Sequence, residues 1–577
     1  MEMDTSELRA SRRMLESRQN PHACHVNANE ASSIRELRVI LSNKDLTPKQ
    51  VTRGTTFRMS TTRRGFIAAS ALAPALLRAQ NSAPAVITSD EARPQITHGV
   101  MSGDVAQGAG TIWSRTDRPA RMIVEYSLTE TFENTTRILG PHCLDVTDYT
   151  GRLLLTDLPD GADIFYRVKF QSLADGKTES DAVSGRFRTL GRRERDIRFV
   201  WGGDVVGQGW GINPDFGGMK IYEAMRRVQP DFFIHSGDNI YADGPLTESV
   251  TLPDGSTWRN IVIDEKRKVA ETLNEYRGNY KYNLLDTNVL KFNSEVPSIL
   301  QWDDHEVLNN WSPSKDLSND SRYTEKSIFT LSARAARAFQ EYAPMRPSFI
   351  GQEKVYRKYS FGPLLEVFVL DMRSYRAGNN YNLQTTRSEE TDYLGAPQLA
   401  WLKTSLQQSR ALWKVIAADM PLSLVVPDTR DAQGRQTYEN SANGDGPALG
   451  RELEIADLLS YISRARIRNT VWITADVHYT AAIHLSPDRA QFTDFHPFWE
   501  FVAGPLNAGT FGPNATDNTF GPLVVFQKVP PSGQSNLPPS AGYQFFGDVT
   551  VSRTAFRVSL RDLYGKELFT QTIQPES

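Results

Sequence analysis

The sequence is poor in the residues that cross-link a chain or build an imidazole-rich zinc site. Its 577 residues include two cysteines, Cys24 and Cys143, too distant to suggest a disulfide framework. Nine histidines include His235, His305, His478, His484 and His496 in the later part, and a many-imidazole zinc site would use most of them. The net charge of -3 gives no electrostatic argument for a nucleic-acid partner. Internal repeats, coiled-coil heptads and long low-complexity tracts are missing, so neither a repeat array nor a long coiled coil is expected. The apolar stretch at 66–77 is too short to span a membrane comfortably. Apolar and charged fractions of 39% and 23% are ordinary for a soluble globular protein, and the length predicts two or more domains.

What the sequence does have is carboxylate at the ends of apolar runs. Residues 199–203 lead into Asp204. Residues 232–237 lead into Asp238, with Tyr241 three positions on. Residues 298–302 lead into Asp303, Asp304, His305 and Glu306, and residues 471–475 into Asp476, with His478 two positions on. Short apolar runs read as buried strands, and ligands of open sheets gather beyond the carboxyl ends of strands. Four such ends carrying Asp, Tyr and His point to one shared site. Carboxylates crowd together only where cations hold them, so the reading is a metal centre.

Each residue has a chemical role and a plainer one. Gly237 permits a sharp exit from its strand, after which Asp238 can bridge two cations. Tyr241 can reach the same metal as a hard phenolate, or cap a loop. Asp204 follows Gly202 and Gly203 and precedes Gly207-Gln208-Gly209, which lacks the Gly-Lys-Ser/Thr ending of a nucleotide phosphate loop. Taken alone it reads as a turn aspartate. Asp304 can ligate and His305 can protonate a leaving group, while Asp303 and Glu306 also fit a helix start with a capping box. Asp476 and His478 share one side of an extended segment, whose side chains repeat every second residue. Asn239 and Arg373 are candidate substrate contacts. Arg373 suits a bidentate phosphate clamp or a surface ion pair. His235 reads as packing or as support for a ligand; His484 and His496 read as core or loop residues.

Residues 1–58 are polar and weakly patterned, and are expected to be a non-native or disordered extension ahead of a start at Met59. Arg63 and Arg64, the apolar run behind them and small residues over 79–85 make 59–85 a twin-arginine signal peptide. Residues 94–190 hold short strand candidates at 111–113, 122–126, 152–155 and 164–168 separated by turn signals, a sandwich resembling a fibronectin type III domain. A charged linker at 191–195 follows. Strands and helices then alternate over 196–577, with helices at 220–228, 397–409 and 452–465 and buried strands at 367–370 and 413–417. Residues 505–545, rich in Gly, Pro and Asn, read as long loops, and 549–572 as a terminal hairpin.

Taken together, Asp204, Gly237-Asp238 with Tyr241, Asp304-His305-Glu306 and Asp476-Val477-His478 resemble the metallophosphoesterase pattern. The tyrosine variant resembles purple acid phosphatases. Trp302 to Glu306, Asp476 to His478 and the stretch from His98 to Asp104 resemble the alkaline phosphatase D family, over nearly everything after Met59. The resemblance implies a mixed α+β and α/β chain: the N-terminal β-sandwich, then a catalytic domain of two β-sheets flanked by helices. It implies an exported phosphatase or phosphodiesterase, periplasmic or extracellular, attacking phosphate esters with a metal-activated hydroxide. Its cofactors would be Fe(3+), held by Asp204, Asp238, Tyr241 and His478, and Ca(2+), facing Asp238, Asp304 and Asp476. His305 would assist departure of the alcohol. Family members often carry cysteine where Asp204 stands, which leaves Mn(2+) or Zn(2+) as alternatives to iron. Partners would be a phosphate-ester substrate and, during export, the twin-arginine translocase, with no transmembrane segment in the mature chain. The rival reading is a non-catalytic, calcium-stabilised surface binding protein.

Overall fold

The computed structural model describes residues 90–191, 194–347, 354–444 and 446–576. The expected extension at 1–58 and signal at 59–85 lie outside these residues. Alternating polar and apolar side chains give the first strands: β1 (Ile96–Ala106), β2 (Ala109–Thr116), β3 (Ala120–Ser127), β4 (Thr136–Cys143), β5 (Thr150–Leu155), β6 (Asp163–Ser172) and β7 (Val183–Arg188). Sheet β4-β3-β6-β7 packs on β1-β2-β5 across Val100, Ile112, Met122, Val124, Ile164 and Val168.

The next strands combine apolar runs buried on both faces, as parallel sheets require, with exposed antiparallel hairpins and edge strands. They begin with β8 (Ile197–Gly202), β9 (Phe232–Ser236), a small hairpin of β10 (Ser249–Thr251) and β11 (Thr257–Arg259), β12 (Ser298–Gln301) and β13 (Arg357–Phe361). There follow β14 (Leu365–Val369), β15 (Trp413–Ala417), a second hairpin of β16 (Pro427–Arg430) and β17 (Gln436–Tyr438), β18 (Thr470–Thr474), β19 (Thr480–Leu485) and β20 (Phe498–Val502). The chain closes with β21 (Pro522–Lys528), β22 (Phe545–Val551), β23 (Phe556–Asp562) and β24 (Glu567–Ile573).

Two large sheets result, ordered β24-β23-β22-β8-β9-β12-β1-β2-β5 and β13-β14-β15-β18-β20-β19-β21. They face each other across Phe199, Trp201, Ile234 and Ile299 on one side and Val367, Val415, Val471 and Ile473 on the other. Helices α1 (Lys220–Arg227), α2 (Leu273–Asn283), α3 (Thr287–Glu295) and α4 (Ile328–Tyr342) cover the outer face of the first sheet. Helices α5 (Ala396–Gln408) and α6 (Glu452–Arg464) cover the second. Two sheets flanked by helices is the expected architecture.

The sandwich is not a bead beside this core. β1 pairs in parallel with β12 at Gly103 and Ser298, so one sheet runs through both parts. The Trp113 indole donates to the Glu341 carbonyl at 2.7 Å. Asp148 accepts from Arg115 at 2.9 Å and from the Tyr342 hydroxyl at 2.5 Å. A short charged linker in the sequence gave no sign of this continuity, because pairing between distant strands leaves no local signature. Residues 505–545 likewise hold a strand, β21, added to the edge of the second sheet beside β19. The expected terminal hairpin is present as β23 and β24, with β22 joining it to β8.

Gly547 of β22 lies opposite Trp201, whose indole N–H crosses to the Thr474 carbonyl of the second sheet at 3.2 Å. A Cβ at Gly547 would come within 1.8 Å of the Trp201 ring. We therefore expect Gly547→Ala to destabilise the protein by at least about 1–3 kcal/mol, the usual cost of overpacking a core. Urea denaturation measures it; an unchanged midpoint would contradict the packing described.

Candidate metal centre

Strands β8, β9, β12 and β18 end at one edge of the double sheet, and each releases its acid there. Their exits are sharp. Asp204, Asp238, Asp476 and His478 all adopt left-handed backbone, with φ of 68°, 51°, 68° and 60°. Such conformations cost non-glycine residues on the order of 1 kcal/mol or more and gather at functional sites. Gly237 precedes Asp238 with φ of 89°, and a Cβ there would lie 2.4 Å from the Asp303 Cβ. The expectation that Asp476 and His478 share one side of an extended segment is corrected. Two left-handed residues turn the chain, aiming both side chains inward while Val477 packs into the core between them.

The structure brings the expected residues together. Ligand atoms of Asp204, Asp238 and His478 lie within 4.8 Å of one another, as do those of Asp238, Asp304 and His305. Asp303, Asp304 and Asp476 form a third such group. Asp238 belongs to the first two. His478 Nδ1–H donates to the Gly509 carbonyl at 2.5 Å, which leaves Nε2 as the acceptor of the Tyr241 hydroxyl at 2.7 Å. Fixing one ring nitrogen on a carbonyl is how a protein presents the other to a metal. Burial lowers the His478 pKa to about 4, so the ring is neutral, the state that ligates.

The donor set fits cations. Asp204 is 0% exposed, and neither of its carboxylate oxygens has a hydrogen-bond partner. Burial, then the charge on Asp303, holds its pKa well above the carboxylate range. Burial followed by Asp304 does the same for Asp238, and burial followed by Glu439 for Asp476. Asp304 goes the other way: burial opposes ionisation, but His305 and Arg373 outweigh it. Crowded carboxylates, Asp204 among them with both oxygens orphaned, beside a phenol and one neutral imidazole make an oxygen-rich site suited to hard cations.

His305 stands beside this group. Its Nδ1–H donates to Asp243 Oδ1 at 2.6 Å, and its backbone N–H to Asp238 Oδ1 at 3.2 Å. Nε2 lies 3.9 Å from Asp304 Oδ2. Burial lowers the ring's pKa, but Asp243 and Asp304 override it and raise the value to about 10. Cations bound at Asp304 would bring it back down by neutralising that carboxylate.

Two expected substrate contacts lie elsewhere. Arg373 is 0% exposed, with Nε 2.5 Å from Asp303 and Nη1 2.5 Å from Glu439. It is neither a phosphate clamp nor a surface ion pair, because carboxylates beneath the site already take its donors. Asn239 donates from Nδ2 to the Gln301 carbonyl at 2.5 Å and to Glu306 at 2.7 Å, and so braces the loop. No helix starts at Asp303. Glu306 still accepts from the Asp303 backbone N–H at 2.7 Å, and it also accepts the Asn239 N–H at 2.6 Å. His235 packs on Phe233 and His484 on Trp499. His496 lines a surface groove with His484. Sequence reading missed Asp243, Glu439 and Gly509. Asp243 had a cue, two residues beyond Tyr241 in the same loop; Glu439 and Gly509 lie in distant loops and had none.

An αββα sandwich with acids at the carboxyl ends of its inner strands has the fold of the metallophosphoesterases. Within that class, residues 199–561 match the PhoD-like phosphatase family and residues 80–191 its N-terminal domain. The chain belongs to the PhoD-like phosphatase family. Alkaline phosphatase D of Bacillus subtilis (strain 168) is 27% identical over 318 residues, covering 53% of this chain and 51% of that protein. The chain thus matches about half the length of that relative. The solved structure of PhoD superposes with a TM-score of 0.62 at 20% identity, over 83% of this chain and 89% of that one.

If cations hold these carboxylates, stripping them destabilises the fold. A ligand at a thousand times its Kd stabilises by about 4 kcal/mol, so chelation should lower the unfolding temperature by at least about 5 °C and added metal should restore it. Calorimetry of the protein before and after chelator dialysis tests this; an unmoved transition would show that the carboxylates are not compensated by metal.

Proposed function

We propose that this chain is an exported, metal-dependent phosphoesterase acting on phosphate monoesters or diesters. The observation that carries the reading is that Asp204, Asp238 and His478 converge, that Asp238 is shared with Asp304 and His305, and that Asp243 holds the His305 ring. Iron(III) would be held by Asp204, Asp238, Tyr241 and His478, and calcium by Asp238, Asp304 and Asp476. Manganese or zinc could replace iron, since Asp204 supplies oxygen where related proteins often supply sulfur. Bound cations supply Lewis acidity toward the phosphoryl oxygens and activation of a water nucleophile. The side chains do the rest. Asp243 holds His305 by Nδ1, which leaves Nε2 to deliver a proton to the departing alcohol oxygen. The Asn310 backbone N–H binds Asp304 and fixes its orientation. Burial of Tyr241, then Asp238 and Asp204, keeps the phenol protonated in the absence of cations.

We read 94–190 as a structural β-sandwich and 196–577 as the catalytic domain. The order of twin arginines, apolar run and small residues supports a signal at 59–85, passage through the twin-arginine translocase, and a periplasmic or extracellular mature protein. Among the described residues no helix is long and apolar enough to cross a membrane.

His305→Ala is the test. Hydrolysis of an alkyl phosphate ester should fall about 10²–10⁴-fold, and that of a nitrophenyl ester, whose leaving group needs no proton, much less. Metal content should not change. If the fully metallated wild type cleaves neither monoesters nor diesters, the calcium-stabilised binding protein becomes the better account. Asp243→Asn should reproduce part of the alkyl-ester defect and lower the upper pH limit of activity, since the carboxylate that favours imidazolium is gone. An unchanged profile would remove Asp243 from the mechanism.

A further inference from the structure

Asp303, Asp304 and Asp476 each bring a carboxylate oxygen within 4.8 Å of the others, a spacing that suits a further cation. That space is already filled. Nη2 of Arg373 lies 2.5 Å from Asp303 Oδ1, 3.5 Å from Asp304 Oδ1 and 3.4 Å from Asp476 Oδ1. The guanidinium has no room to swing away. It is 0% exposed, its Nη1 is 2.5 Å from Glu439, and its Nε is 3.4 Å from Asp419. The buried Arg376 and Arg451 belong to the same network, bonded to the Glu439 carbonyl. Arginine stays charged at any working pH and offers no lone pair, so it cannot be a ligand. A metal ion among these three oxygens would press against a like charge where little water screens it.

We infer that Arg373 is a resident cation occupying the third position of the centre. The chain then takes two metal ions, one at the Asp204, Asp238 and His478 group and one at the Asp238 and Asp304 group, and no third. The inference rests on the metal-centre reading above and deepens it. Arg373 acts as a positioning residue. It holds Oδ1 of Asp304 and Oδ1 of Asp476 before any cation arrives.

The experiment counts bound manganese. Full-length protein is stripped with chelator, then dialysed to equilibrium against excess Mn(2+) alone, and the bound metal is measured by elemental analysis. Wild type should bind two ions per chain, and Arg373→Ala, its fold verified by circular dichroism, should bind three, the third at the Asp303, Asp304 and Asp476 group. Arg373→Lys should stay at two. Three ions in wild type, or two in folded Arg373→Ala, overturns the inference while leaving the phosphoesterase reading intact. No bound ion in wild type overturns both. If Arg373→Ala does not fold, Asp303→Asn decides. Asp303 bonds the guanidinium and belongs to neither of the two groups assigned a metal, so the count should remain two, and loss of an ion overturns the proposal.

Discussion

Asp204, Asp238, Asp303, Asp304 and Asp476 share one water-poor volume, and each raises the cost of ionising the others. Two like charges 4 Å apart repel by about 4 kcal/mol even at an effective dielectric of 20. Five carboxylates cannot stay charged there unless positive charge is supplied. The structure supplies it from two directions. Arg373 enters from beneath, fully buried among the acids. The remaining oxygens, including both orphaned oxygens of Asp204, face one another across a gap suited to cations. Apart from cations, only protonation would relieve them, and protonated acids would make a poor electrophilic site.

The fold exists to hold these repelling groups in place. Four of the acids leave β8, β9 and β12 of one sheet, and Asp476 leaves β18 of the other. The site therefore spans the two sheets and needs them in register. Trp201 ties them together, with its ring packed against Gly547 in one sheet and its N–H bonded to Thr474 in the other. The left-handed exits at Asp204, Asp238 and Asp476 are strained, and only a rigid frame keeps them so. The sandwich contributes to that rigidity by extending the first sheet through β1 and anchoring α4 through Trp113 and Asp148.

The acids and their strands were legible because each signal is local: an apolar run, a carboxylate, and nothing between. The 413–417 strand and the helices near 397 and 452 were legible for the same reason, since their periodicity is clean. Helix α2 was not, because Leu273–Asn283 is built of tyrosine, asparagine and charge around a glycine and shows no apolar stripe. Strand β21 was hidden among prolines and glycines. Arg373 was misplaced because a sequence shows charge but not depth. Glu439 and Asp419, which bury it, lie tens of residues away in the chain. The partnership of His478 with Gly509 is a contact between distant loops, and no spacing announces it. Asp476 and His478 were read with the right partners but the wrong backbone, because alternation suggests a strand wherever turn residues are absent.

The most direct test joins elemental analysis of the mature protein to its visible absorption spectrum. The account predicts stoichiometric metal, with iron and calcium giving a violet tyrosinate-to-iron band that disappears in Tyr241→Phe. Manganese or zinc without the band would retain the centre and discard the iron–tyrosinate assignment. Folded protein carrying no stoichiometric metal would contradict the account, because five crowded carboxylates would then be compensated by something other than cations.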